Sequence, residues 1–168
     1  MEKNFNDKEQ FSVSVNVATP ADLEDYKNIR LEALREYPEA FGRKLENEIN
    51  KTEKEWEEEL SNQAEPVFLA KESKKTIGMA STFESPNEKD TWTIISLYVS
   101  NKFQGKDVGK NILRAVEEEI RKRGAKKAIL YVDDKNTANQ GFYARQGYVL
   151  DPFGKYEKWE RMEKVIPA

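Results

Sequence analysis

The stretch that leaves the fewest choices runs from residue 92 to residue 132. WTIISLYVS (92–100) is a run of β-branched and aromatic residues, which suits a strand packed in a sheet. FQGKDVGK (103–110) follows, a polar turn with two glycines. Val108, Ile112, Val116 and Ile120 then recur on one helical face, joined by Leu113. The other face pairs Glu117 with Arg121, Glu118 with Lys122 and Glu119 with Arg123, each acid four residues ahead of its base. Gly124 is placed to end this helix over 108–123. AILYV (128–132) reads as a second buried strand. A strand, a helix and a strand at these lengths form a crossover, which places 92–100 and 128–132 side by side and parallel.

The rest of the chain must build around that unit. FSVSVNVA (11–18) alternates apolar and polar residues and predicts a strand. Thr19-Pro20-Ala21-Asp22 opens a helix, with Thr as cap, Pro at the first position and Asp three residues on. Leu23, Tyr26, Ile29, Ala33 and Tyr37 continue it until Pro38. Thr52 with Glu55 is a second capping box, opening a short acidic helix around Trp56 and Leu60. PVFLAKE (66–72) and TIGMASTFE (76–84) predict a hairpin. Asn136 caps a short helix that stops at Gly147, and YVL (148–150) with 156–162 forms a last hairpin turning at DPFG. The sum is an α+β fold: a mostly antiparallel sheet of about six to seven strands, flanked by about four helices. Residues 1–10 are polar and expected to be loose, and 11–168 form one domain.

Composition closes several routes. The chain has no cysteine and no histidine, which removes thiol nucleophiles, thiolate metal sites and the commonest general base. Chemistry is left to carboxylates, hydroxyls, lysines, water and backbone amides, and no metal is expected. A net charge of -3 gives no basic bias toward nucleic acid or an anionic membrane. The first residues lack a signal-peptide pattern, and no apolar run approaches the roughly 20 residues of a membrane span. A cytoplasmic protein is expected.

The turn before the long helix has a physical reading of its own. The first amides of a helix lack intrahelical acceptors and, with the dipole, attract anions. Gly105 and Gly109 let a phosphate approach the backbone, and Lys102, Lys106 and Lys110 surround the same turn. Taken alone, a glycine pair before a helix is as often only a turn. It lacks the lysine-serine/threonine ending of a P-loop and comes too late in the chain for a dinucleotide fingerprint.

The segment NTANQGFYARQGY (136–148) adds the second half of a pattern. Gln104, Gly105, Lys106, Asp107, Val108 and Gly109 resemble the Gln/Arg-x-x-Gly-x-Gly/Ala turn of the GNAT superfamily of N-acetyltransferases. Asn136, Phe142-Tyr143 and Gly147-Tyr148 resemble that family's later motif, and RLEALREYPEAFG (30–42) resembles its first-helix region. The order of elements agrees with the family fold from about residue 12 onward.

The resemblance implies a GNAT-like sheet in which 92–100 and 128–132 splay to leave a slot. Acetyl-CoA would enter it as cosubstrate, its pantetheine arm beside the backbone of Leu97, Tyr98 and Val99. The pyrophosphate would lie on the amides from Gln104 to Gly109, those of Lys106, Asp107 and Val108 included, with Lys110 alongside. Asn136 would bond the pantetheine, and Tyr143 would be the general acid to the thiolate. An amine of a small molecule or peptide would attack the thioester directly. On the residues alone, Asn136 can equally be only a cap, and Tyr143, Phe142 and Tyr148 can be core aromatics.

Two departures from the family pattern stand out. Asp107 occupies a position that is commonly glycine; it either caps the helix, taking amides the pyrophosphate needs, or points to solvent and is tolerated. Thr93 stands where some members place a basic glutamate, leaving Glu84, Asp133, an ordered water or an already neutral amine to account for the proton. For the acceptor, Arg30 and Arg35 suit an acidic substrate and EKEWEEE (53–59) a cationic one, while both also suit plain surface roles. Trp56, Trp92 and Trp159 belong to an acceptor pocket or to the core. A homodimer through a strand edge fits this kind of sheet. The rival readings are a non-catalytic CoA- or acyl-CoA-binding module and a generic nucleotide-phosphate binder.

Overall fold

The computed structural model describes residues 11–168, so the segment 1–10, expected to be loose, lies outside the described residues. The opening alternation forms β1 (Ser14–Val17). A 3-10 turn at Pro20–Asp22 leads into α1 (Leu23–Glu36), and the Asp22 carboxylate accepts from the Thr19 N–H at 2.9 Å. Next come α2 (Leu45–Ile49) and α3 (Glu53–Ser61). Both halves of the predicted capping box are made, Glu55 N–H to Thr52 Oγ1 at 3.2 Å and Thr52 N–H to the Glu55 carboxylate at 2.6 Å. Strands β2 (Val67–Glu72), β3 (Lys75–Glu84) and β4 (Thr91–Val99) precede α4 (Val108–Lys122). The chain closes with β5 (Lys127–Asp133), α5 (Thr137–Arg145), β6 (Val149–Tyr156) and β7 (Trp159–Val165).

These strands form one sheet in the order β1-β2-β3-β4-β5-β7-β6, antiparallel except where β4 meets β5. The apolar run VFLA in β2 explains itself by period two. Phe68 and Ala70 face the helix α4, while Val67 and Leu69 face α1 and α3. From α4, Val108, Ile112, Leu113, Val116 and Ile120 are all buried on the sheet, each contributing about 1.5–3 kcal/mol relative to exposure. The opposite face packs Leu23, Tyr26 and Ile29 of α1 with Trp56 and Leu60 of α3.

The expected set of about four helices is present as five among the described residues, the added one being the single-turn α2. One expectation needs correction. The last hairpin turns at Glu157 and Lys158, not at DPFG. DPFG lies inside β6 as an irregularity, with the Asp151 carboxylate accepting from the Phe153 N–H and facing Arg161 Nε at 3.4 Å. That local bond occupies the backbone as a turn does, but Arg161 keeps the segment against β7.

Candidate active site

β4 and β5 pair only at Thr91↔Lys127, Trp92↔Ala128 and Thr93↔Ile129, and then separate. The cause lies in β4. Between Ser81↔Ile95 and Met79↔Tyr98, two residues of β4, Ser96 and Leu97, oppose the single Ala80 of β3. Ser96 takes φ 57°, the left-handed backbone of a bulge. Such a bulge bends its strand and steepens the twist, turning β4 away from β5. The two strands therefore diverge into a cleft of about 1130 Å³. Ile94, Ile95, Ser96 and Leu97 line one wall, and Leu130, Tyr131, Val132 and Asp133 the other.

The first turn of α5 brings Asn136, and its last turn Tyr143, to the same cleft. Asn136 accepts from the Asn139 N–H at 3.0 Å, so its oxygen caps the helix. Its side-chain nitrogen makes no hydrogen bond among the described residues, which lets capping and ligand binding coexist. Tyr143 is half-buried and meets Phe142 and Tyr148 edge-on, at 5.2 and 6.0 Å between ring centres. Its hydroxyl has no partner among the described residues. Burial pushes its pKa up to about 12. Tyr148, by contrast, spends its hydroxyl on Glu117 at 2.9 Å, as a core tyrosine does.

At the mouth of α4 the amides of Gly105 through Lys110 take no backbone acceptor among the described residues, the first bonded one being Asn111 N–H to Asp107 O at 3.0 Å. Gly105 has φ +75°, open to glycine at little cost. Asp107 precedes the helix with φ 62° and ψ 12°, and its carboxylate makes no capping bond. An effective cap has extended backbone; the left-handed turn aims the carboxylate elsewhere, so the capping alternative fails and the amides stay free. It also explains the taste of this position for glycine, with Asp among the few side chains that tolerate it. Gly109 is small for a different reason. A Cβ there would lie 3.2 Å from Phe142 Cζ, so its absence lets α5, and Tyr143 with it, approach α4.

The lysines are arranged unevenly. Lys106 Nζ sits over the stacked rings of Phe11 and Phe103, at 5.1 and 5.7 Å from their centroids. Gln104 Nε2 donates to Val99 O at 3.1 Å, tying the turn to the end of β4. Of the expected cofactor residues, Leu97, Asn136 and Tyr143 share the cleft wall, while Gly105–Lys110 lie beyond β4 at the helix mouth. Tyr98 and Val108 are buried in the core by their side chains, leaving only main-chain atoms for a ligand.

The far end of the cleft was largely invisible in sequence. It is made by Arg30, Phe41 and Arg43 of the 37–43 loop, and Tyr156 and Trp159 of the final hairpin, while Tyr37 at the start of that loop donates to Asn101 Oδ1 at 2.9 Å beside the cradle. Of the three tryptophans, Trp159 lines the cleft and Trp56 and Trp92 are core. Arg30 is buried, whereas Arg35 is exposed and does not line it. Of the candidate bases, Glu84 pairs opposite Trp92 where β4 and β5 are still joined, and it is not among the lining residues. Asp133 does line the cleft, but the Lys135 N–H and the Lys158 ammonium hold its carboxyl below the usual range, making it a weaker base. Thr93 is buried, its hydroxyl 2.7 Å from that of Ser85. No described helix is long and apolar enough to cross a membrane.

Comparison with known proteins places this geometry. The model of the acetyltransferase (GNAT) family matches residues 26–148. Among solved structures, the PaiA N-acetyltransferase of Thermoplasma acidophilum in complex with coenzyme A superposes with a TM-score of 0.74 at 20% identity, covering 92% of this chain and 99% of that one. An acetyltransferase of the GNAT family from Streptococcus pneumoniae gives 0.74 at 17% identity, covering 93% and 100%. Ribosomal-protein-alanine N-acetyltransferase of Brucella melitensis gives 0.70 at 23% identity, covering 90% and 99%. No curated protein matches the chain in sequence.

Proposed function

Since the chain belongs to the GNAT family of acetyltransferases, we propose that it transfers the acetyl group of acetyl-CoA to an amine, with Tyr143 as the acid at the leaving sulfur. The observation that carries this reading is the Tyr143 hydroxyl, free of partners among the described residues, on a side chain that lines the same cleft as Leu97. Tyr148 spends its hydroxyl on Glu117, whereas that of Tyr143 stays available on a residue of the cleft wall.

The amides of Gly105 to Lys110 suit the pyrophosphate, and Asn136 suits the pantetheine amide. The edge of β4 beyond Thr93 has lost β5 as a partner and suits an added strand-like arm. The amine nitrogen would form its bond to the thioester carbon as the carbon–sulfur bond breaks. Main-chain N–H groups of the splayed β4 would polarise the carbonyl. At about 12, the Tyr143 phenol keeps its proton at every working pH and donates a hydrogen bond to the thiolate. The ammonium proton would leave through water, since Glu84 and Thr93 lie away from the cleft and Asp133 is weakened as a base. This direct route asks for no covalent intermediate on the protein, consistent with a chain that has neither cysteine nor histidine.

Thermal unfolding with acetyl-CoA, and with ATP as the control, tests the site. A ligand confined to the folded state raises the midpoint by mass action. We expect a rise with acetyl-CoA that ATP does not reproduce, followed by thiol release when amines are added. A midpoint unmoved at millimolar acetyl-CoA would refute the reading.

A further inference from the structure

Behind the bulge of β4 lies a group of charges that acetyl transfer itself does not need. Arg30 is buried; its Nη1 donates to Ser96 Oγ at 2.9 Å, and its Nη2 is 3.7 Å from Glu48 Oε1. Glu48 is almost wholly buried, at 1% exposure, on the short helix α2. The Lys51 ammonium bridges Glu48 and Glu59, and Tyr26 donates to the Glu59 carboxylate at 3.1 Å. Arg43 completes the group, its Nη1 3.6 Å from Glu48 Oε1 and 3.6 Å from Glu59 Oε1.

Three cations (Arg30, Arg43, Lys51) face two carboxylates (Glu48, Glu59), which leaves one positive charge in excess. That excess falls on Arg43. Lys51 is mostly buried between both acids, and Arg30 is committed to Ser96 and Glu48. Arg43 keeps 59% of its side chain exposed, and its carboxylate neighbours stand beyond hydrogen-bond length. It borders both the main cleft and a second cavity of about 100 Å³ behind Ser96; Glu65 lines that cavity too, exposed and in ion-pair contact with none of the described cations. The other acids of the cleft are placed elsewhere. Glu36 accepts from Asn101 beside the cradle, Asp133 is matched with Lys158, and Glu39 is exposed on the loop before Arg43. Phe41, Ile95, Tyr131 and Trp159 add apolar and aromatic wall to the same cleft.

We propose that Arg43 binds a carboxylate of the acceptor, so that the acceptor is a small carboxylated amine, an α-amino acid with an apolar or aromatic side chain. The inference rests on the cleft being an acetyl-CoA site. It assigns the acceptor to the Ile95–Ser96 end, because the cradle and Val99 belong to the other. A planar guanidinium suits a carboxylate in two-point contact, and Arg43, whose carboxylate neighbours stand beyond hydrogen-bond length, keeps donors to offer one.

The test compares matched pairs: phenylalanine with phenylethylamine, and leucine with isopentylamine, in a thiol-release assay at saturating acetyl-CoA. The carboxylated member is expected to have a kcat/KM at least about tenfold higher, the equivalent of one charge-assisted hydrogen bond. Arg43→Gln is expected to bring each pair within about threefold, and Arg43→Lys to retain an intermediate preference. The exposure of Arg43 favours folded variants, checked by an acetyl-CoA-induced rise in midpoint in each. Equal use of both members, or a preference that survives in Arg43→Gln, would overturn the inference. So would no turnover of either pair while acetyl-CoA still raises the midpoint, an outcome that leaves the proposed acetyl transfer standing. Failure of acetyl-CoA to raise the midpoint would remove that reading and the inference together.

Discussion

The cradle before α4 is made of consecutive residues, whereas the rest of the cleft draws on α1, the 37–43 loop, β4 and the hairpin β6–β7. The first is held by backbone geometry, a glycine at φ +75°, an aspartate at φ 62° and a run of free amides. The second is held by a buried ionic group around Glu48, which bridges elements distant in sequence. Local geometry is inexpensive to disturb by one substitution, because few side-chain contacts depend on it. A shared buried carboxylate is not, because its removal leaves cations without a partner.

The largest expected effect follows from that difference. Glu48→Ala strips Arg30 of its acid and leaves it buried, for a loss of about 3–5 kcal/mol in unfolding free energy. Gly105→Ala should cost about 1 kcal/mol, the penalty of a side chain in left-handed backbone. Urea titrations of both variants measure the contrast. Equal losses would break it, showing that the two ends share one source of stability.

Next in size is the chemistry. Tyr143→Phe should lower kcat about 100-fold or more while leaving acetyl-CoA binding within a few-fold. Burial adds a pH signature. With the phenol at about 12, the parent's kcat should show no alkaline fall below about pH 11 from loss of this proton. A fall near pH 10 that Tyr143→Phe abolishes would mean a less buried hydroxyl. A kcat unchanged in Tyr143→Phe would remove Tyr143 from the reaction.

How far the sequence could be read follows the same division. The strand, turn and helix over 92–123, the caps at Thr52 and Asn136, and the separation of β4 from β5 were legible, because each depends on neighbours along the chain or on a motif in register. Helix α2 was not. LENEI is a single turn without a side-chain cap, and its Glu48 is meaningful only beside Arg30 and Lys51. DPFG carried turn residues, yet Arg161 on the neighbouring strand holds it within β6. Nothing in sequence distinguished Trp159 at the cleft from Trp56 and Trp92 in the core, since all three sit in similar amphipathic runs. The role of Asp107 needed a dihedral angle, because as a helix-preceding acid it looked like a cap.

Asp107 also sharpens the comparison at moderate size. Its charge sits beside the amides proposed for the pyrophosphate, exposed enough for water to screen it. Asp107→Gly should therefore tighten acetyl-CoA binding about three- to tenfold in low salt, with the gain shrinking as salt is raised. Calorimetric titration at two salt concentrations reads both. No tightening in either would mean that the carboxylate points clear of the ligand, and that its effect on the cradle is conformational only.

The smallest expected effect bears on the proton. Glu84 was a candidate base because it is an acid on a strand next to the cradle strand. Its register places it opposite Trp92, below the last β4–β5 pair at Thr93 and Ile129, where the sheet is still closed. A base must come within hydrogen-bond reach of the amine or of one water beside it, and Glu84 is not in the cleft wall. The pH–rate profile of Glu84→Gln should therefore overlay that of the parent. A shifted acidic limb would show that the amine approaches from the closed side of the sheet, against the direction of the splay. An overlay leaves proton loss to water in the open cleft, and the acidic limb should then move with the pKa of the amine chosen as acceptor.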